Sequence, residues 1–163
     1  IALDVLPEDV CLVPERREER TTEGGLDLIN NFEGIKEAVD SLKNSGIRVS
    51  LFIAPDERQI EKAVALEVPI IEIHTGHFAD CEEGPEKENE LKKINDAVLF
   101  AHKSKIIVNA GHGLHYKNVQ RIASIPKICE LNIGHSIVAE ALFVGWENAV
   151  KKMKRIIMEH SVK

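Results

Sequence analysis

The stretch Pro69-Ile70-Ile71-Glu72-Ile73-His74-Thr75-Gly76 decides how this chain folds. Its isoleucines form a short apolar run that ends on a glycine, the pattern of a buried strand. One carboxylate, Glu72, interrupts the run. Burying a lone charge is prohibitive, so Glu72 must be paired, hydrogen-bonded or engaged in chemistry. A structural ion pair and a catalytic carboxylate both meet that demand.

Four more runs of this kind surround it: Val10 to Glu15, Arg48 to Ala54, Lys105 to Gly111 and Glu130 to Ser136. Near-continuous Val/Ile/Leu runs predict parallel strands covered on both faces. Helical segments separate them. Asn31 to Asn44 places Phe32, Ile35, Ala38, Val39 and Leu42 at helical spacing, with Gly46 as the stop signal. Asp56 is an N-cap candidate for a helix running to Leu66, and Glu86 to Lys103 is long and amphipathic. Tyr116 to Ser124 is short, and Ile137 to Phe143 and Trp146 to His160 form a terminal pair broken near Gly145. A β-α order repeated in this way defines a parallel α/β fold. Five units complete a doubly wound sheet or make up part of a (β/α)8 barrel of about 250 residues. Periodicity does not choose between the two.

The ends of the strands carry the chemistry, since parallel α/β folds gather their sites at strand carboxyl ends. Asn109-Ala110-Gly111-His112-Gly113 sets a histidine between two glycines straight after a strand. Glycines admit close backbone approach to a ligand, and an imidazole exchanges protons near neutral pH. A tight turn with an incidental histidine fits the same residues. Asn132-Ile133-Gly134-His135-Ser136 runs into a helix, and a glycine turn before a helix N-terminus is a ready phosphate cradle. Thr21-Thr22-Glu23-Gly24-Gly25-Leu26 is polar and glycine-rich, and suits either a closing lid or an ordinary surface loop.

Other chemistries find less support. His74, His77, Asp80 and Cys81 are close in sequence, as are His112 and His115, but their spacing matches no closed four-ligand zinc signature. No metal site is expected. GxGxxG, GxxxxGK[ST] and GxSxG are absent, so nucleotide-fingerprint and serine-hydrolase readings have no footing. The net charge of −6 makes no electrostatic case for nucleic acid or an anionic membrane. Three widely spaced cysteines suit a reducing compartment rather than a disulfide framework. No apolar run approaches the ~20 residues of a membrane span. The opening residues lack a signal peptide's basic and apolar regions. They also lack an initiator Met, as an internal fragment would.

Taken together, these motifs resemble the pyridoxine 5′-phosphate synthase family. The matching stretches are Cys11 to Arg17, Thr21 to Asp27, Val49 to Ile53, Ile71 to Gly76, Val108 to Leu114 and Glu130 to His135, in the family's order and across nearly the whole chain. The resemblance implies a (β/α)8 TIM barrel of which residues 1–163 form strands four to eight, as a single domain. It implies a transferase-class ring-forming condensation in vitamin B6 biosynthesis. 1-Deoxy-D-xylulose 5-phosphate and 3-amino-2-oxopropyl phosphate would give pyridoxine 5′-phosphate, phosphate and water, without a cofactor.

Carried over by residue, His112 would be the proton donor and Glu72 the carboxylate stabilising the transition state. Gly113, Gly134 and His135 would bind the amino-oxopropyl phosphate, and Thr21 would contact substrate from the closing loop. The family's first three βα units, with its histidine and glutamate general bases and its arginines, have no counterpart in the 163 residues. The expectation is therefore the C-terminal part of a longer barrel, in a cytoplasmic homo-octamer built from dimers. Two other readings stay open: a catalytically incomplete phosphate-binding or assembly module, and a phosphate-binding barrel enzyme of different chemistry.

Overall fold

The computed structural model describes residues 1–21 and 24–162, with Arg17 described by its backbone alone. The elements follow in the order α1 (Ala2–Val5), β1 (Asp9–Leu12), a 3-10 turn (Arg17–Glu19), α2 (Phe32–Asn44), β2 (Arg48–Ile53), α3 (Glu57–Ala65) and β3 (Ile70–His74). Then come α4 (Gly76–Asp80), α5 (Pro85–Lys103), β4 (Ile107–Gly111), α6 (Val119–Ala123), β5 (Ile128–Asn132), α7 (His135–Val144) and α8 (Trp146–His160). All five expected strands are present. The turns α1 and α4 were not foreseen; α4 follows β3 so closely that its residues read as the end of the strand.

Strand order settles what periodicity left open. The sheet runs β1-β2-β3-β4-β5, and every neighbouring pair is parallel. A doubly wound sheet reverses its order at a switch point, which sends helices to both faces. Here the order never reverses, so successive right-handed crossovers place their helices on one side. This is the arrangement of a (β/α)8 barrel, of which five strands are present.

The two faces of the strands differ, because their residues alternate, although Ser50, Ile70 and Gly111 on the second face are buried as well. Val49, Leu51, Ile53, Ile71, Ile73, Val108 and Ala110 are fully buried or nearly so, in one cluster with Val39 and Leu42 of α2, Ile60 of α3 and Ile94 and Val98 of α5. Fully burying one such side chain contributes about 1.5–3 kcal/mol. The residues between them point the other way. By register they are Cys11, Ser50, Phe52, Glu72, His74, Asn109, Gly111, Glu130 and Asn132. What reads as an unbroken apolar run is an apolar face under helices and a mixed face carrying polar groups. A register irregularity between Val108 and Asn109 keeps Asn109 opposite Glu130 and Gly111 opposite Asn132.

Helix ends are set by local chemistry. Asp56 caps α3, accepting from the Arg58 N–H at 2.9 Å. Helix α2 ends with Gly46 at φ 78°, its N–H donating to Lys43 O at 2.9 Å and that of Ile47 to Leu42 O at 3.1 Å. This paired exit is a Schellman motif. Helices α3 and α5 leave by the same motif with Glu67 (φ 53°) and Lys105 (φ 63°) in the left-handed position. Three similar exits thus feed β2, β3 and β4.

Candidate active site

A cleft of about 770 Å³ opens over the carboxyl ends of the strands. Its wall takes Phe52 from β2, Glu72 and His74 from β3, and Asn132 from β5. The β4–α6 loop adds His112 and Gly113, the start of α7 adds Gly134 and His135, and Arg20 and Gly24 come from the loop after β1.

His112 is held in a conformation that L-residues rarely adopt, with φ 83°. Thr75, fully buried, secures it. The Thr75 hydroxyl lies 2.8 Å from Gly111 O and 2.6 Å from His112 O, and the Thr75 N–H donates to Gly111 O at 2.8 Å. Backbone strain of this kind persists only where the surroundings over-determine it, and it gathers at functional sites. Gly113 continues the turn at φ 73°, and a Cβ there would stand 2.6 Å from Ala79 Cβ on α4. Both conformation and packing demand glycine. Asn118, buried, closes the loop by accepting from the His115 N–H at 2.7 Å and donating to Gly113 O at 3.2 Å.

Glu72 is half-buried, and it forms no ion pair among the described residues. Asn132 Nδ2 donates to Glu72 Oε2 at 2.7 Å, and the Cys11 thiol lies 3.7 Å from the same oxygen. Burial raises the Glu72 carboxyl above its ordinary range, against the lowering effect of Asn132, Cys11 and His112. A carboxylate held by neutral donors beside a histidine can stabilise positive charge or exchange a proton.

His74 lies one strand residue-pair beyond Glu72, on the same face. Its ring stacks on His112 with centroids 4.8 Å apart and planes at 23°, and Phe52 lies tilted against both. Burial and the neighbouring His112 depress His74 to about 4. The Gly76 N–H donates to His74 Nδ1 at 3.1 Å. That bond requires a bare Nδ1, so the proton of neutral His74 resides on Nε2.

At the other end of the cleft α7 begins on Gly134, its N-cap, with His135 as the first helical residue. The Ser136 hydroxyl donates to Leu114 O at 2.8 Å, tying the helix start to the β4–α6 loop. First-turn N–H groups lack intrahelical partners, so this wall offers donors to an anion.

The site residues expected from sequence are therefore mostly brought together: Glu72, His112, Gly113, Gly134 and His135 share one cleft. Thr21 is not on its wall. The Thr21 N–H donates to Gly25 O at 2.8 Å, and the Thr21 hydroxyl oxygen is buried with no partner among the described residues. Of the same segment, Thr22 and Glu23 lie outside the described residues, while Gly24 packs against His74 and the Leu26 N–H donates to Phe52 O at 2.8 Å.

His74, Thr75, Phe52 and Asn132 had no assigned role in the sequence reading. The signal for His74 was its two-residue step from Glu72, which puts both on one strand face. The other three depend on tertiary proximity. Among the described residues no group of three or more His, Cys, Asp or Glu converges on a metal position. His77 instead pairs through Nδ1 with Glu90 Oε2 at 3.2 Å.

The fold and the position of the cleft define a (β/α)8-barrel protein with its site in the usual place at the strand carboxyl ends. The chain is similar to the solved xylose isomerase domain protein from Planctomyces limnophilus, with a TM-score of 0.53 at 14% identity. The likeness covers 99% of this chain and 64% of that one, so the chain spans less than two thirds of the relative's length. The family model described as pyridoxal phosphate biosynthesis protein PdxJ matches residues 1–159, and the chain belongs to that family.

Proposed function

We propose that the chain carries the strand-four-to-eight portion of a pyridoxine 5′-phosphate synthase. The reaction condenses 1-deoxy-D-xylulose 5-phosphate with 3-amino-2-oxopropyl phosphate to give pyridoxine 5′-phosphate, phosphate and water. The observation that carries the reading is the convergence of Glu72 and His112 in one cleft with the Gly134 helix start. Schiff-base formation, phosphate elimination, ring closure and dehydration each move a proton, and this cleft offers an imidazole and a carboxylate for that work.

In this reading His112 delivers a proton to the leaving oxygen, its ring held on the stack with neutral His74. Glu72 balances the positive charge that develops on nitrogen. Gly113, Gly134 and His135 receive the phosphate of the amino-oxopropyl substrate, while Thr21, off the cleft wall, is left out of this contact set. Residues 1–163 act as one domain, with three further βα units supplying the general bases and arginines. The assembled enzyme is a cytoplasmic homo-octamer. The helices are consistent with a soluble enzyme in one respect: none among the described residues is long and apolar enough to cross a membrane.

The test is His112→Ala in the intact protein, assayed for pyridoxine 5′-phosphate formation. Turnover falls by about 10²–10⁴-fold, as loss of a general acid requires, while circular dichroism and oligomer size hold. Normal turnover would remove the proton-donor role. The intact mass checks the domain reading: it lies well above the 18.2 kDa of these residues if further units complete the barrel.

A further inference from the structure

Glu72 stands on β3 and Asn132 on β5, yet the two side chains are hydrogen-bonded at 2.7 Å with β4 running between their strands. The residue beneath the bond is Gly111, whose register partners are His74 on one side and Asn132 on the other. A Cβ at Gly111 would overlap Glu72 Oε1 and stand 2.9 Å from Asn132 O. The carboxylate reaches across β4 because position 111 is bare. From the opposite edge, Cys11 of β1 brings its thiol to 3.7 Å from Oε2. Desolvation of the sulfur and the adjacent Glu72 push that thiol up to about 11, so it keeps its proton at neutral pH and can donate. Both donors address Oε2. Oε1 has no hydrogen-bond donor among the described residues and lies over Gly111 at the cleft wall.

We propose that Asn132 is the positioning residue for Glu72: together with the Cys11 thiol it fixes Oε2 and presents Oε1 to the substrate, over a glycine that must stay a glycine. The inference rests on Glu72 being the carboxylate of the proposed reaction. The groups facing Glu72 are Cys11 from β1, Asn132 and Glu130 from β5, and His112 after β4. Asn132, Cys11 and His112 favour the ionised form, while burial and Glu130 oppose it.

The experiment is 13C NMR of the intact protein labelled at glutamate side-chain carboxyls, with Glu72→Gln assigning the resonance. Asn132→Leu keeps the branched shape and removes the donor, so the Glu72 pKa rises by about one unit. In the synthase assay the variant loses roughly tenfold in kcat with little change in KM. Gly111→Ala keeps the Asn132 amide donor but crowds both ends of the bond, at Glu72 Oε1 and at Asn132 O, and moves the Glu72 resonance the same way. A Glu72 pKa unmoved in both folded variants overturns the positioning role. Normal turnover of Glu72→Gln would instead count against the proposed reaction, and would leave the NMR result standing.

Discussion

His74 and His112 stack ring on ring, 4.8 Å between centroids and 23° between planes, although one lies in a strand and the other in a glycine turn 38 residues later. Burial, first, and the stacked His112 beside it disfavour a positive charge on His74, and the Gly76 N–H at Nδ1 suits its neutral form.

A pH dependence of stability follows. The His74 pKa is about 4 in the folded chain, against about 6.5 for an unperturbed imidazole. Above the unfolded value both states are neutral there and the difference vanishes. Between pH 6.5 and 4 the unfolded chain binds a proton that the folded chain refuses, so stability falls as pH falls. His74→Phe keeps the stacked ring and cannot titrate. Its urea midpoint should therefore decline less than the parent's over that window, and equal declines would mean that His74 titrates normally.

The Thr75 hydroxyl should matter twice. Thr75→Val keeps the shape and removes the donor 2.6 Å from His112 O and 2.8 Å from Gly111 O. Leaving a buried carbonyl short of its partner costs about 1–3 kcal/mol, measurable by urea denaturation. The turn that presents His112 should loosen with it, so turnover falls by more than the folded fraction does. Unchanged stability would mean that the turn is held by Gly113 and Asn118 alone.

Glu67, like Lys105, sits against its own conformational preference at a helix exit. Glu67 occupies the left-handed exit of α3 at φ 53°, where α2 uses Gly46. Its pairing with Lys43, at 3.5 Å and largely exposed, contributes little. Glu67→Gly should stabilise the chain by about 0.5–1 kcal/mol, read as a higher thermal midpoint. A lower midpoint would show that the ion pair outweighs the backbone strain.

Much of this was legible beforehand. Isoleucine- and valine-rich runs broken by capped helices are local signals, and they located β2, β3 and β4 to within a residue or two. Glu72 stood out because a carboxylate in an apolar run needs an explanation, and His112 because two glycines flank it. One-dimensional patterns mislead elsewhere. Apolar runs conceal how the two strand faces differ, because Ile70 and Phe52 hide the alternation with Glu72 and Ser50. The turn α4 was lost in the end of β3.

The sequence by itself determined the βα order, the strand-end motifs and the membership implied by them, since each depends on residues adjacent in the chain. Tertiary structure alone decided that the order of strands never reverses, that Asn132 reaches Glu72 over a bare Gly111, and that His74 lies under His112. Those relationships join residues 21 to 60 positions apart. Nothing in a local pattern encodes which side chains meet once a curved parallel sheet turns its inward-facing residues toward one cleft.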